Sequence, residues 1–225
     1  MLEKEDLMFI SSHLSFWDRL TQAEKELLEQ QMMKTSYPKG FNLHNSADEC
    51  LGILLIRKGG LRVYILSEDG REVTLYRLSE GEVCVMSASC VLNSITFDVH
   101  IDAESDTEVY LIRSGIFRTL KDENVYVENF VYKNAVDRFS DVMWAMEQIL
   151  FMSVDKRLAI FLLDEMRKNH SHNLYLTQEQ IARYIGSARE VVSRMLKSFQ
   201  ADGLIEQSRG IIKIVDKERL SKLVP

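Results

Sequence analysis

The 225-residue sequence predicts an α+β chain in three parts: a β-barrel of jelly-roll type with a leading helix over 1–123, a long helix over 124–152, and a winged helix-turn-helix over 153–225. Three patterns carry this reading. Short apolar runs are split by glycine and charged turns from 37 to 113; apolar residues recur at spacings of three and four from 124 to 151; and two short helical patterns meet at a glycine between 177 and 201.

Thr21-Gln22-Ala23-Glu24 opens a helix with threonine as cap, and Leu27, Leu28 and Met32 form its apolar stripe. The runs 52–56, 60–66 and 72–78 read as strands, with Ser67-Glu68-Asp69-Gly70 as the hairpin turn between the second and third. Further strands fall near 97–103 and 108–112, which gives the short, evenly spaced strands of an antiparallel barrel or jelly roll.

Within the long helix, Tyr132, Ala135, Phe139, Val142, Met146 and Ile149 alternate in spacing as the seam of a two-stranded coiled coil does, so a homodimer is expected. Val136, Met143 and Leu150 widen that face, which also fits packing on the chain's own barrel; one face on each partner satisfies both patterns. Residues 152–155 form the expected pivot. A following helix is expected to start at Asp155 as cap and to run through Leu158, Ile160, Phe161, Leu162 and Met166.

Thr177 and Gln180 have the spacing of a capping box, Ile181, Ala182 and Ile185 supply an apolar face, and Gly186 lets the chain turn. The second helix, about 188–201, buries Val191, Val192, Met195, Leu196 and Phe199 and leaves Arg189, Glu190, Ser193, Arg194 and Lys197 on other faces. Those types in that order suit a major groove: arginine pairs with guanine, glutamate accepts from cytosine, and serine or lysine holds phosphate. With Thr177 and Gln178 at the start of the first helix, they are the candidate contacts to double-stranded DNA. Gly203 ends the helix, Leu204 and Ile205 begin a strand, 208–210 turns, and 211–215 returns as the wing.

Charge follows the same division. Residues 153–225 hold 13 Lys+Arg and 9 Asp+Glu, a net of +4, and residues 1–152 hold 15 and 25, a net of −10. The basic part suits a polyanion and the acidic part faces away from it. No apolar run approaches the ~18–20 residues of a membrane span, and MLEKEDLMF lacks a cationic lead into a hydrophobic stretch, so a cytoplasmic protein without membrane association is expected. Cys50, Cys84 and Cys90 are odd in number and lack CxxC spacing, which argues against a disulfide framework or a structural zinc site. No phosphate loop, nucleophile elbow or HExxH motif occurs; His44 and His100 are isolated, so no catalytic residue, no metal site and no cupin-like enzyme are expected.

The order barrel, long helix, winged helix-turn-helix, together with 186–194, GSAREVVSR, resembles the CRP/FNR superfamily of bacterial transcription regulators, whose recognition-helix pattern is G-x-[ST]-R-E-T-V-S-R. Asp202-Gly203-Leu204-Ile205 and Arg209-Gly210-x-Ile212 match as well, and the likeness covers nearly the whole chain. Ala188 departs from the usual Ser or Thr, which removes a cap or phosphate contact. The resemblance implies a cyclic-nucleotide-binding-like barrel, a palindromic operator with TGTGA-like half-sites about one helical turn apart, and RNA polymerase as a further partner.

It also implies a small-molecule or redox effector in the barrel. Cyclic-nucleotide binders in the family carry G-E-x-x-G-E-[LI]-x…R-[ST]-A; here Gly81-Glu82 is present, Val83-Cys84-Val85-Met86 follows without the second G-E, and Phe97-Asp98-Val99 replaces R-[ST]-A. A cyclic phosphodiester facing aspartate loses its ion pair, so cyclic AMP is not the expected ligand. Gly81, Glu82, Cys84, Ser87, Ser89 and Cys90 remain the effector-pocket candidates: the serines for an uncharged or anionic metabolite, the cysteines for a thiol switch, with an inert hydrophobic role the plainer reading of the cysteines. An iron–sulfur cluster is excluded, since 1–49 contain no cysteine and three thiols cannot supply four ligands; haem is disfavoured, because no spacing singles out His44, His100 or Cys84. A barrel without an effector, on a protein that binds DNA constitutively, is the alternative.

Overall fold

A computed structural model describes residues 2–44, 51–85 and 99–224. Its contacts divide into two compact units, Met1–Ile65 with Leu75–Val142, and Leu66–Thr74 with Met143–Pro225.

The first unit opens with α1 (Lys4–His13), a short 3-10 turn (Trp17–Arg19) and α2 (Gln22–Gln31). Thr21 caps α2 as expected: its hydroxyl accepts from the Glu24 N–H at 3.3 Å while the Glu24 carboxylate accepts from the Thr21 N–H at 2.6 Å. The expected stripe of α2 is corrected in two places. Leu28 is buried, but Leu27 is exposed, and Met32 lies beyond the helix as the first residue of a strand.

The strands are β1 (Met32–Tyr37), β2 (Asn42–His44), β3 (Gly52–Lys58), β4 (Gly60–Leu66), β5 (Glu72–Ser79), β6 (Val83–Cys84), β7 (His100–Ala103) and β8 (Thr107–Arg113). They form two four-stranded sheets, β1-β8-β3-β6 and β2-β7-β4-β5, with antiparallel pairing at Ile53↔Ile112 and Val63↔Ile101. β3 reads as an unbroken apolar run because both its faces are covered. Ile53 and Leu55 join a core with Ile10, Tyr110 and Phe117, whereas Leu54 and Ile56 join Leu61, Val63, Leu78 and Val109 between the sheets. The predicted hairpin is present: the Ser67 N–H donates to the Arg71 carbonyl at 2.9 Å, and Gly70 has φ +79. Of the strand expected near 97–103, β7 begins at His100, and 97 and 98 lie outside the described residues.

Two helices follow, α3 (Ser114–Glu123), which the sequence reading did not anticipate, and α4 (Val125–Phe151). The Asn124 side chain separates them by accepting from the Tyr126 N–H at 3.0 Å. Val127, Phe130 and Val131 anchor the start of α4 in the barrel-side core.

The second unit contains α5 (Val154–Lys168), β9 (Asn173–Leu174), α6 (Gln178–Ile185), α7 (Arg189–Ala201), β10 (Ile205–Ser208), β11 (Ile211–Ile214) and α8 (Lys217–Ser221). The cap of α5 is corrected from Asp155 to Ser153; Asp155 lies in the first turn, where its charge favours the helix dipole instead. Leu158, Leu162 and Met166 are buried as expected, while Ile160 and Phe161 are only partly so. In α7, Val192, Leu196 and Phe199 are buried, and Val191 and Met195 are half-buried. The wing strands β10 and β11 pair at Ile205↔Ile214, and Leu204 and Val215 fall just outside them. β9 adds a third strand through Leu174↔Ile212. No helix among the described residues is long and apolar enough to cross a membrane.

Candidate functional site

The helix-turn-helix is set by three local devices. Thr177 and Gln180 cap α6 reciprocally, the Thr177 hydroxyl accepting from the Gln180 N–H at 3.1 Å and the Gln180 side chain from the Thr177 N–H at 2.8 Å. Gly186 ends α6 in the left-handed conformation, φ +61 and ψ +47, and the Ser187 N–H closes the turn onto the Ala182 carbonyl at 2.9 Å. The third device was not legible: Arg157, 8% exposed on α5, donates from Nη1 to the Ile185 carbonyl at 2.6 Å, a cation on the last carbonyls of α6. Ala188 stands at the N-cap of α7, where its side chain makes no capping bond.

Along α7, Glu190, Arg194 and Lys197 follow each other at four and three residues and so share one exposed face; Arg189 is exposed and Ser193 half-buried on the adjacent one. Arg189 also lines an open cleft of about 570 Å³ with Thr177, Gln178, and wing residues Gln207, Ser208 and Arg209. Ser193, Arg194 and Lys197 lie outside this cleft, further along α7. The wing residues were missed as site members because their only sequence signal was a turn; Arg209 is exposed beside Gly210 at φ +75. The cleft presents a helix N-terminus and two arginines against one carboxylate, Glu179, so its charged side chains leave a net positive balance toward an anion.

In the barrel, Gly81 has φ +84 and turns the chain so that Glu82 reaches back: its carboxylate accepts from the Ser79 N–H at 2.8 Å and the Ser79 hydroxyl at 3.0 Å. Arg138 of α4 stands 3.4 Å from the other carboxylate oxygen. Cys84 is fully buried in β6, opposite Leu54. Ser87, Ser89 and Cys90, with Cys50, lie outside the described residues.

On α4, Tyr132, Val136, Phe139, Met143, Met146, Ile149 and Leu150 are exposed in the single chain, and Phe151 is 81% exposed. Val142 is half-buried and packs against the inter-sheet core. Among the described residues, no group of three or more His, Cys, Asp or Glu is placed to hold a metal ion.

Two family models match. One described as a cyclic nucleotide-binding domain covers residues 34–124, and one described as a Crp-like helix-turn-helix domain covers 156–223. A solved structure from Eubacterium rectale, assigned to the Crp/Fnr family of transcriptional regulators, is 43% identical, covers 95% of this chain and 99% of that one, and superposes with a TM-score of 0.91. The cAMP-activated global transcriptional regulator Vfr of Pseudomonas aeruginosa is 25% identical over 168 residues, 71% of this chain and 78% of that protein. The fumarate and nitrate reduction regulatory protein of Escherichia coli is 24% identical over 201 residues, 84% of this chain and 78% of its own length.

Proposed function

This chain belongs to the CRP/FNR family of transcription regulators, and from that premise we propose that it binds a palindromic operator as a homodimer, under the control of a signal received by the barrel. The observation that carries the reading is the pair of adjacent outward faces of α7, where Arg189, Glu190 and Arg194 are exposed. Arg189 and Arg194 each suit a guanine and Glu190 a cytosine amino group, which fits TGTGA-like half-sites. Lys197, Ser193 and the N-terminus of α6 at Thr177 and Gln178 are assigned to phosphates.

The dimer is supported by the exposed apolar stripe of α4, since Tyr132, Phe139, Met146 and Ile149 would otherwise face water. Val142 serves the barrel side of the same helix. RNA polymerase is the further partner expected of such a regulator. Vfr is described as cAMP-activated, but cyclic AMP is not proposed here, because Phe97-Asp98-Val99 lacks the arginine an anionic phosphodiester requires. A thiol switch centred on Cys84 is not favoured either, because that sulfur is fully buried. An effector acts only through a difference in affinity for two arrangements of the chain, and 152–155, between α4 and α5, is the proposed pivot.

Operator selection from random DNA tests the proposal. The expected product is a palindrome with guanines opposite Arg189 and Arg194. Failure to enrich any palindrome from the purified protein, with or without cell-extract metabolites, overturns it.

A further inference from the structure

The second unit carries another cleft, of about 580 Å³, walled by α5, α7 and α8. It shares no lining residue with the cleft at the start of α7. Its floor is apolar, with Phe199 4% exposed and Met195 half-buried. Four charged side chains line it: Asp155 from the first turn of α5, Asp202 at the C-cap of α7, Arg219 from α8 and Lys222 at the C-cap of α8. The cations, three residues apart, come from one wall, and the carboxylates from the two other helices. Among the described residues no ion pair joins these carboxylates to these cations. Arg219 reaches only Asp216, at 3.9 Å, and Asp216 is not part of the lining. Opposite charges thus face one apolar floor without neutralising each other.

That balance narrows the class of occupant. Two charges of each sign cancel, so a lone anion or a lone cation meets repulsion as well as attraction. A molecule that carries both charges engages both sets at once, and an apolar group beside them covers the floor. We infer that this cleft binds a zwitterion with an apolar side chain, of the α-amino acid class. Arg219 and Lys222 take its carboxylate, Asp202 and Asp155 its ammonium group, and Met195 and Phe199 its side chain. Exposed ion pairs contribute little one at a time, so a dissociation constant on the order of 1 mM is expected. An occupant joins the start of α5 to the end of α7 and to α8, and so stabilises the folded second unit. The site is separate from the barrel, and the inference goes beyond any signal received there.

The test titrates L-phenylalanine into the full-length protein carrying methyl-labelled methionine, and the Met195 resonance, assigned with Met195→Leu, reports on the cleft. Phenylpropionate, which lacks the ammonium group, and phenethylamine, which lacks the carboxylate, are the comparison probes. The Met195 methyl is expected to shift saturably with L-phenylalanine, and the melting temperature to rise. Lys222→Gln and Asp202→Asn are each expected to weaken binding about three- to fivefold, and each comparison probe to bind weaker by at least that factor. Both variants are expected to melt no lower than the parent chain without probe, because the lost charges had no partner within the fold. No saturable shift at Met195 overturns the inference, as does an affinity unchanged by both variants. Phenylpropionate or phenethylamine binding as tightly as L-phenylalanine overturns it too, since one charge then suffices. A double-mutant cycle in which Asp202→Asn and Lys222→Gln couple in the unliganded protein also sinks it, because the two charges then neutralise each other and leave nothing for a zwitterion.

Discussion

Replacing Gly186 by alanine isolates the turn that aims α7. At φ +61 and ψ +47 the residue sits in the left-handed region, which costs a side-chain-bearing residue about 1–2 kcal/mol. The alanine also restricts the unfolded chain, and that returns roughly 0.5 kcal/mol. An added Cβ would lie 3.3 Å from the Cδ1 of Ile149, a crowding that a small rotation of that side chain relieves. The net expectation is a loss of about 1 kcal/mol, nearly all from the backbone. Chemical denaturation followed by circular dichroism measures it, with Gly186→Asn as control, since asparagine tolerates this conformation better. Adding Ile149→Val removes the crowding atom and is expected to recover only a few tenths of a kcal/mol in a double-mutant cycle. If Gly186→Ala is neutral within about 0.3 kcal/mol, or if Ile149→Val restores all of the loss, the argument from backbone conformation fails.

Arg189→Ala is expected to weaken operator binding by about 1–3 kcal/mol and to relax selection at one base pair, whereas Lys197→Ala weakens all sequences alike and lowers the salt slope by about one; binding curves at several salt concentrations separate the two. Phe139→Glu on α4 is expected to shift the protein from dimer to monomer in sedimentation equilibrium, because it sets a charge in the apolar stripe, and a variant that stays dimeric refutes the assignment. Burial alone would raise the Asp6 carboxyl, but the Tyr110 hydroxyl, the Glu3 N–H and Lys34 together hold it at about 2, below its ordinary 3.8. The sign follows from that depression: the stabilisation is whole above about pH 4 and is lost as pH falls through about 2. Asp6→Asn is therefore expected to flatten the acid limb of a stability-versus-pH curve over that window, and an unchanged limb contradicts it.

What could be read in the sequence was local. The capping boxes at Thr21 and Thr177, the turn at Gly70 and the glycine of the helix-turn-helix each declare themselves within four residues, and the two-faced burial of β3 shows as an unbroken apolar run. α3 escaped notice because Arg113 supplies no side-chain cap and only Phe117 and Leu120 are buried on it. β9 is two residues long and exists through its pairing with β11. The misplaced cap of α5 lay between two residues that both cap well, Ser153 and Asp155. Within the candidate site, Arg189 and Arg194 were legible from helical spacing and charge. Arg157 was not, since its carbonyl partner is 28 residues away, nor was the junction of Glu82 with Arg138, 56 residues apart. Such contacts depend on the folded path of the chain, and residue type alone does not announce them.

The bare start of α7 has a consequence for exchange with solvent. With alanine at position 188 no side chain of that residue covers the first amide hydrogens of the reading helix, so in the free protein they are left to water. A phosphate oxygen arriving from a DNA backbone meets these amides with no intramolecular bond to break first. The amides of Arg189 and Glu190 should therefore trade their protons quickly in the unbound chain and slow sharply once DNA is seated. On the proposed mode of DNA binding, the nucleic acid would itself supply the cap of α7.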